Sequence, residues 1–215
     1  MLAPYGILIY GSGGFAREVA WLAETAAPAY APLAYIDDRW TAGSPPVNGL
    51  PVRSLAVCSQ EYPAGRYVIA VGDASARANI AERSDAVGLQ ATTLTHRNVE
   101  RSRFITIGEG TVICAGSILT VNIAIGRHVH INLDCTIGHD VMMDDFVTLA
   151  PGVHVSGNVH IGRGAYLGTG ATVINGTYDA PLTIGASAVI GAGAVVTRNV
   201  AAGVTVVGVP AKPRS

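Results

Sequence analysis

From Ile107 onward the apolar residues recur with a period of six. The first member of each hexad is Ile107, Ile113, Leu119, Ile125, Ile131, Ile137, Met143, Leu149, Val155, Ile161, Leu167 or Val173. All are Ile, Leu, Val or Met, a class that supplies only 58 of the 215 residues, so the row is not a chance of composition. The second position is usually small, as at Gly108, Gly126, Gly138, Gly162 and Gly168. The fifth is small or β-branched, as at Thr111, Ser117, Val129, Val141 and Ala171. A fixed six-residue period predicts a parallel β-helix. Each hexad then supplies a short strand whose first residue points into a prism, and the small second residue lets the chain turn the corner. Three hexads close one coil, so residues 18 apart stack. Four coils are expected from 107 to 178. An insertion then breaks the phase, which returns at Ile184, Ile190 and Val196 for about one more coil. A solenoid must cover its open ends, so the stretch AAGVTVVGVPAKPRS is expected to lie against the last coils.

The chain before this array follows another pattern. Gly6 to Tyr10 is a short apolar run, followed by a Gly-rich turn and by REVAWLAETA at helical spacing. LAYIDD, RYVIAVGD and LQATTL read as further strands, SARANIAERSDAVG as a helix, and residues 39–49, with Pro45, Pro46 and Gly49, as loop. Strands alternating with helices predict a parallel sheet. The period changes between His96 and Phe104. The expected organisation is therefore a Rossmann-like α/β domain over 1–96 and a β-helix domain with a C-terminal tail over 97–215.

Composition narrows the function. Lys plus Arg is 14 and Asp plus Glu is 15, a net charge of −1. That balance argues against nucleic acid or an anionic membrane as the main partner. No basic segment precedes an apolar one as in a signal peptide, and no run of about 18 apolar residues predicts a membrane span. The cysteines, Cys58, Cys114 and Cys135, are odd in number and form no CxxC pair, which fits reduced thiols in a cytoplasmic protein.

Two places carry candidate chemistry. Gly11 to Ala16 matches G-x-G-x-x-A between a strand and a helix. Its glycines, Gly13 and Gly14 among them, allow a tight turn and close backbone approach, and the helix N-terminus favours an anion. Asp37 follows at the end of the next strand, where a carboxylate can accept from ribose or a base. Three readings stay open for this turn: a nicotinamide dinucleotide, the pyrophosphate of a nucleotide-sugar, or no ligand. The second place is His139, at a corner of the array beside Asp140. An adjacent carboxylate can fix its tautomer and raise its basicity. His128, His130, His154 and His160 read as surface or subunit-packing residues, His130, His154 and His160 in the outward last position of the hexad. His96 reads as structural, and no metal site is expected.

The stretches GSGGFAREV, YIDD, VGD, IGHDV, SGNVHIG, YLGTGATV, VIGAGAVVTRNV and VVGVPAK together resemble the sugar-nucleotide N-acetyltransferases of sialic-acid and bacillosamine biosynthesis. The likeness spans nearly the whole chain. It implies a left-handed β-helix, a homotrimer with acetyl-CoA in the groove between neighbouring helices, no metal, and a role in building sugars for polysaccharide. It also implies acetyl transfer to the amine of a nucleotide-linked sugar, such as a 4-amino-4,6-dideoxy sugar. By the resemblance His139 is the general base and Asp140 its neighbouring acid. Ser12, Gly13 and Gly14 form the phosphate turn, with Asp37, Asp38 and Gly72 as further nucleotide contacts. Thr148, which stands where some relatives carry histidine, Thr169 and Ala192 lie along the acetyl-CoA path. O-acetylation of a sugar hydroxyl, or a non-catalytic nucleotide-binding β-helix, remain the alternatives.

Overall fold

The computed structural model describes residues 5–214, which divide between Arg97 and Asn98 into two units. In the first, β1 (Tyr5–Tyr10), β2 (Tyr30–Ile36), β3 (Val52–Arg53), β4 (Arg66–Ile69) and β5 (Gln90–Ala91) form a parallel sheet of order β3-β2-β1-β4-β5. The connecting helices are α1 (Gly14–Thr25), α2 (Leu55–Glu61) and α3 (Ala74–Ala86). β1 and β4 read as near-continuous apolar runs because both sheet faces are covered, and Ile7, Leu8, Ile9, Val68 and Ile69 are fully buried. β3 and α2 escape a periodicity search because they are two and seven residues long. The local signal for α2 is Ser54, whose side chain accepts from the Val57 N–H at 3.2 Å.

In the second unit the hexads form a left-handed parallel β-helix with three faces. Face 1 stacks six strands from Glu100–Arg101 to Val195–Val196, and face 2 stacks five from Ile105–Ile107 to Leu182–Ile184. Face 3 runs upward from Val112–Ile113 and ends with Lys212–Pro213, folded back antiparallel on Thr205–Val207. Strands pair with the equivalent hexad one coil on, as in Ile131↔Leu149 and Ile137↔Val155. The offset lengthens by five at Thr172↔Val195 and Val159↔Leu182, which is the size of the insertion. Stacking starts earlier than the periodic row: Ile105 and Glu100 already pair with Ile123 and Ile118. First-position side chains from Ile113 to Val173 and fifth-position side chains from Val129 to Ala171 form one buried column.

The corners are turned at the fourth hexad position rather than the second. Every fourth residue from Gly110 to Gly170 has positive φ, including Asn122 (55°), His128 (52°), Asp140 (56°) and Phe146 (62°). Its N–H donates to the third-position carbonyl one coil below, as from His128 to Glu109 at 2.9 Å and from Asp140 to Val121 at 3.1 Å. The small second position serves another purpose, close approach between coils. A β-carbon at Gly162 would stand 2.6 Å from the Ala186 nitrogen. Gly170 carries the left-handed φ of 69° with open space around it. Asn tolerates that conformation, whereas extra volume at Gly162 must push two coils apart. Gly170→Asn is therefore expected to stay within about 0.5 kcal/mol of wild type and Gly162→Ala to lose about 1–3 kcal/mol, read by denaturant unfolding.

Candidate active site

His139 and Asp140 are themselves the turn between faces 1 and 2. The third position of a hexad points its side chain off the corner, and the left-handed Asp140 folds its carboxylate back on the ring. His139 Nδ1 lies 2.7 Å from Asp140 Oδ2, and both side chains are about half exposed. The other oxygen, Oδ1, accepts from Asn122 Nδ2 at 3.1 Å. The hydrogen bond from His139, followed by that from Asn122, holds the Asp140 carboxyl below its ordinary pKa. A carboxylate on Nδ1 selects the tautomer that carries its proton there, leaving the Nε2 lone pair to accept.

The neighbouring coil makes room for this ring. The His139 carbonyl accepts from Asn158 N–H at 2.9 Å, which stacks Gly157 over the imidazole. A β-carbon at Gly157 would overlap Nε2 and Cε1. Gly157 and Asn122 thus belong to the site. Neither stands out in sequence, except that Gly157 lies one coil after His139 and Asn122 one coil before Asp140.

The residues expected along the cofactor path fall elsewhere on the prism. Thr148 is a face 3 residue and is buried. Thr169 and Ala192 are exposed at the corner between faces 3 and 1, joined through the Gly193 N–H bond to the Thr169 carbonyl at 2.8 Å. β-Carbons at Gly170 and Gly193 would meet nothing, so this corner is an open strip of small residues. One chain therefore holds His139 and the Thr169–Ala192 strip on different corners.

In the α/β unit the strand register brings the six predicted nucleotide residues together. Tyr10 pairs with Ile36 and with Ile69, so the turns after β1, β2 and β4 share the C-terminal edge of the sheet, where open α/β sheets bind ligands. Asp37 is buried and engaged by Ser12 Oγ and by Arg39, whose Nε and Nη2 donate at 3.0 and 2.9 Å. Arg39 first of all, with Ser12 behind it, holds the carboxyl of Asp37 far below the usual range. Asp38 accepts from Arg83 at 2.7 and 3.0 Å and from Tyr10 Oη at 2.6 Å. Arg77, fully buried in α3, donates to the carbonyls of Val71 and Gly72 at 2.8 and 3.0 Å and shapes the third turn. Gly13 and Gly72 have negative-φ or ordinary backbone and empty space where a β-carbon would be. The protein's own packing does not require glycine at either.

The remaining histidines part from expectation in two cases. His128 is fully buried and stacked on Phe146 at 5.4 Å, and His130 is buried in one row with Val112 and Thr148. The last hexad position faces outward only where that part of the face is solvated. His154 bonds Thr136 at 2.8 Å and His160 bonds Asp144 at 3.0 Å. His96 is buried beside Trp21. Among the described residues no group of three or more His, Cys, Asp or Glu is placed to hold a metal.

Known proteins resemble this chain over most of its length. The PglD N-terminal domain model matches residues 6–84. The GDP-perosamine N-acetyltransferase of Escherichia coli O157:H7 is 34% identical over 159 residues, 71% of this chain and 70% of that protein. WeeI from Acinetobacter baumannii AYE superposes with a TM-score of 0.87 at 38% identity, over 97% of this chain and 99% of its own. A histidine-to-asparagine mutant of perosamine N-acetyltransferase from Caulobacter crescentus, solved with CoA and GDP-perosamine, gives 0.88 at 29% identity, over 98% and 97%. The chain belongs to the family of sugar-nucleotide N-acetyltransferases built on a left-handed β-helix.

Gly157→Ala tests the role given to the empty space over His139. The alanine methyl must displace the ring, and a shift of about 1 Å at a reacting group costs on the order of 10²-fold in rate. Acetyl transfer should fall by about that factor while the far-ultraviolet circular dichroism of the variant matches wild type.

Proposed function

We propose that this chain acetylates the primary amine of a nucleotide-linked amino sugar, such as a 4-amino-4,6-dideoxy sugar, taking the acetyl group from acetyl-CoA. The observation that carries the reading is the His139–Asp140 pair, oriented so that Nε2 is the accepting nitrogen at an open corner. Support comes from the Caulobacter relative, solved with CoA and GDP-perosamine as a histidine mutant.

Acetyl-CoA supplies the acyl group as a thioester and leaves as the free thiol. An ammonium group has no lone pair, so the acceptor needs a base before or during attack. His139 Nε2 takes the amine proton, Asp140 balances the charge that builds on the imidazole, the amine nitrogen bonds to the acyl carbon as the C–S bond breaks, and the departing CoA thiolate takes up the proton held at Nε2. A positioned base of this kind contributes about 10²–10⁴-fold. Transfer is direct. Cys135 is fully buried, and burial above all pushes its thiol up to about 11, so it offers neither access nor thiolate for an acyl-enzyme.

The sites read as follows. The turn at Ser12, Gly13 and Gly14 receives the diphosphate, with Gly72 beside it, and the empty space over Gly13 and Gly72 is where the ligand approaches. Asp38, half exposed, faces the nucleoside. Asp37 ties Ser12 and Arg39 to the end of β2. The pantetheine arm of CoA lies along the strip of Thr169 and Ala192, with Thr148 at its inner end. Because that strip and His139 occupy different corners, a complete site takes His139 from one subunit and the strip from another. The enzyme is a homotrimer in this reading, since three prisms around an axis bring unlike corners together. We place it in the cytoplasm, in agreement with three buried cysteines that form no disulfide, and its product in polysaccharide assembly. No described helix is long and apolar enough to cross a membrane.

Thiol release from acetyl-CoA against UDP-, dTDP- and GDP-linked 4-amino sugars tests the acceptor. Turnover with one of them, falling by about 10²–10⁴-fold in His139→Asn, is expected. Release only with hydroxyl sugars would favour O-acetylation, and nucleotide binding without release would favour a sensor. Mixed assemblies test the shared site. His139→Asn and Ala192→Trp subunits are each inactive alone. Combined one to one, they should recover about a quarter of wild-type activity, because one site in four draws both intact corners.

A further inference from the structure

The corner that holds His139 spans three coils, and its lowest member, Asn122, touches Asp140 rather than the base itself. Asn122 stands one coil before Asp140 at the same left-handed turn position, with φ of 55° against 56°. Its backbone explains only half of its identity. Asn is favoured in the left-handed region, but Gly serves equally well and fills that position at Gly110, Gly116, Gly152, Gly164 and Gly170. The side chain is what distinguishes it. Nδ2 donates to Asp140 Oδ1 at 3.1 Å while Oδ2 of the same carboxylate receives His139 Nδ1 at 2.7 Å. An exposed carboxylate with one partner rotates freely about its χ angles; with a donor on each oxygen it has a single orientation.

We propose that Asn122 is a positioning residue for the acetyl transfer, holding the Asp140 carboxylate from the coil below so that it fixes the tautomer and plane of the His139 imidazole. The inference rests on His139 being the base. The column thus works as a unit: an amide donor below, the acid and base in the middle, and Gly157 above, leaving the face of the ring open. Asp140 faces the imidazole from its own turn, Gly157 lies over it uncharged from the coil above, Asn122 reaches the Asp140 carboxylate uncharged from the coil below, and His154, bonded to Thr136 on face 1, is a further titratable group in the stack.

Two variants separate this role from a merely structural one, because both replacement residues tolerate the left-handed backbone. Asn122→Gly keeps the turn and removes the donor. It should leave the melting temperature and the KM of both substrates near wild type and lower kcat about tenfold, as a loosened base would. Asn122→Asp keeps the shape and places a second carboxylate beside Asp140. The added charge favours the imidazolium, so the acid limb of kcat/KM should move to higher pH. The hydrogen-bonded Nδ1 proton of His139, read by NMR, should broaden in Asn122→Gly. An Asn122→Gly enzyme within twofold of wild type, with an unmoved acid limb in Asn122→Asp, would overturn the proposal and leave Asn122 a turn residue. The NMR signal is read without substrate. If no amino sugar is acetylated at all, the functional reading fails while the positioning contact is still decided by that signal.

Discussion

Everything at the active corner depends on one backbone contact repeated up the prism: the N–H of each left-handed turn residue bonded to a carbonyl in the coil below. That bond needs positive φ at the fourth hexad position and leaves the third-position side chain projecting from the corner. It stacks equivalent residues of successive coils with little freedom. A histidine at position 139 therefore has its surroundings fixed by Val121 and Asn122 beneath it and Gly157 and Asn158 above. The chemistry is local to two residues, yet its geometry is set by three coils. Rigid elements hold catalytic groups better than loops do, and a β-helix corner behaves as such an element although it is formally a turn.

The α/β unit solves a different problem with charge. Asp37 and Asp38 end a buried strand, where two adjacent carboxylates repel. The fold answers with a cation for each, Arg39 for Asp37 and Arg83 for Asp38. The hydroxyls of Ser12 and Tyr10 complete the pairing, and Ser12 binds the Gly-rich turn to the end of β2. A preorganised turn with a glycine, Gly13, that no internal contact requires is suited to a ligand's close approach.

How far the sequence can be read follows from the range of each interaction. The hexad row is legible because burial along one column repeats every six residues without a break until Val173. The insertion is legible as a phase jump of five. The sequence misplaces the corner, because small second residues look like turn residues when their true constraint is the coil above. Position alone assigns His130 outward, and burial of His130 or of His128 by their surroundings has no local signature. β3 and α2 are too short to show a period. His139 and Asp140 are neighbours and can be paired by eye. Asn122, Gly157 and Arg83 cannot, since their partners lie a whole coil or more away in the chain. Counting one coil in each direction from the His139–Asp140 pair finds the first two.

In the proposed reaction His139 Nε2 receives the acceptor's proton. The most direct measurement is a structure of the wild-type protein with CoA and the amino sugar that it acetylates. The sugar amine is expected about 2.6–3.2 Å from Nε2, with Nδ1 still on Asp140 and the CoA sulfur entering from another subunit's corner. An amine held away from His139, or a complete site formed within one chain, would contradict it.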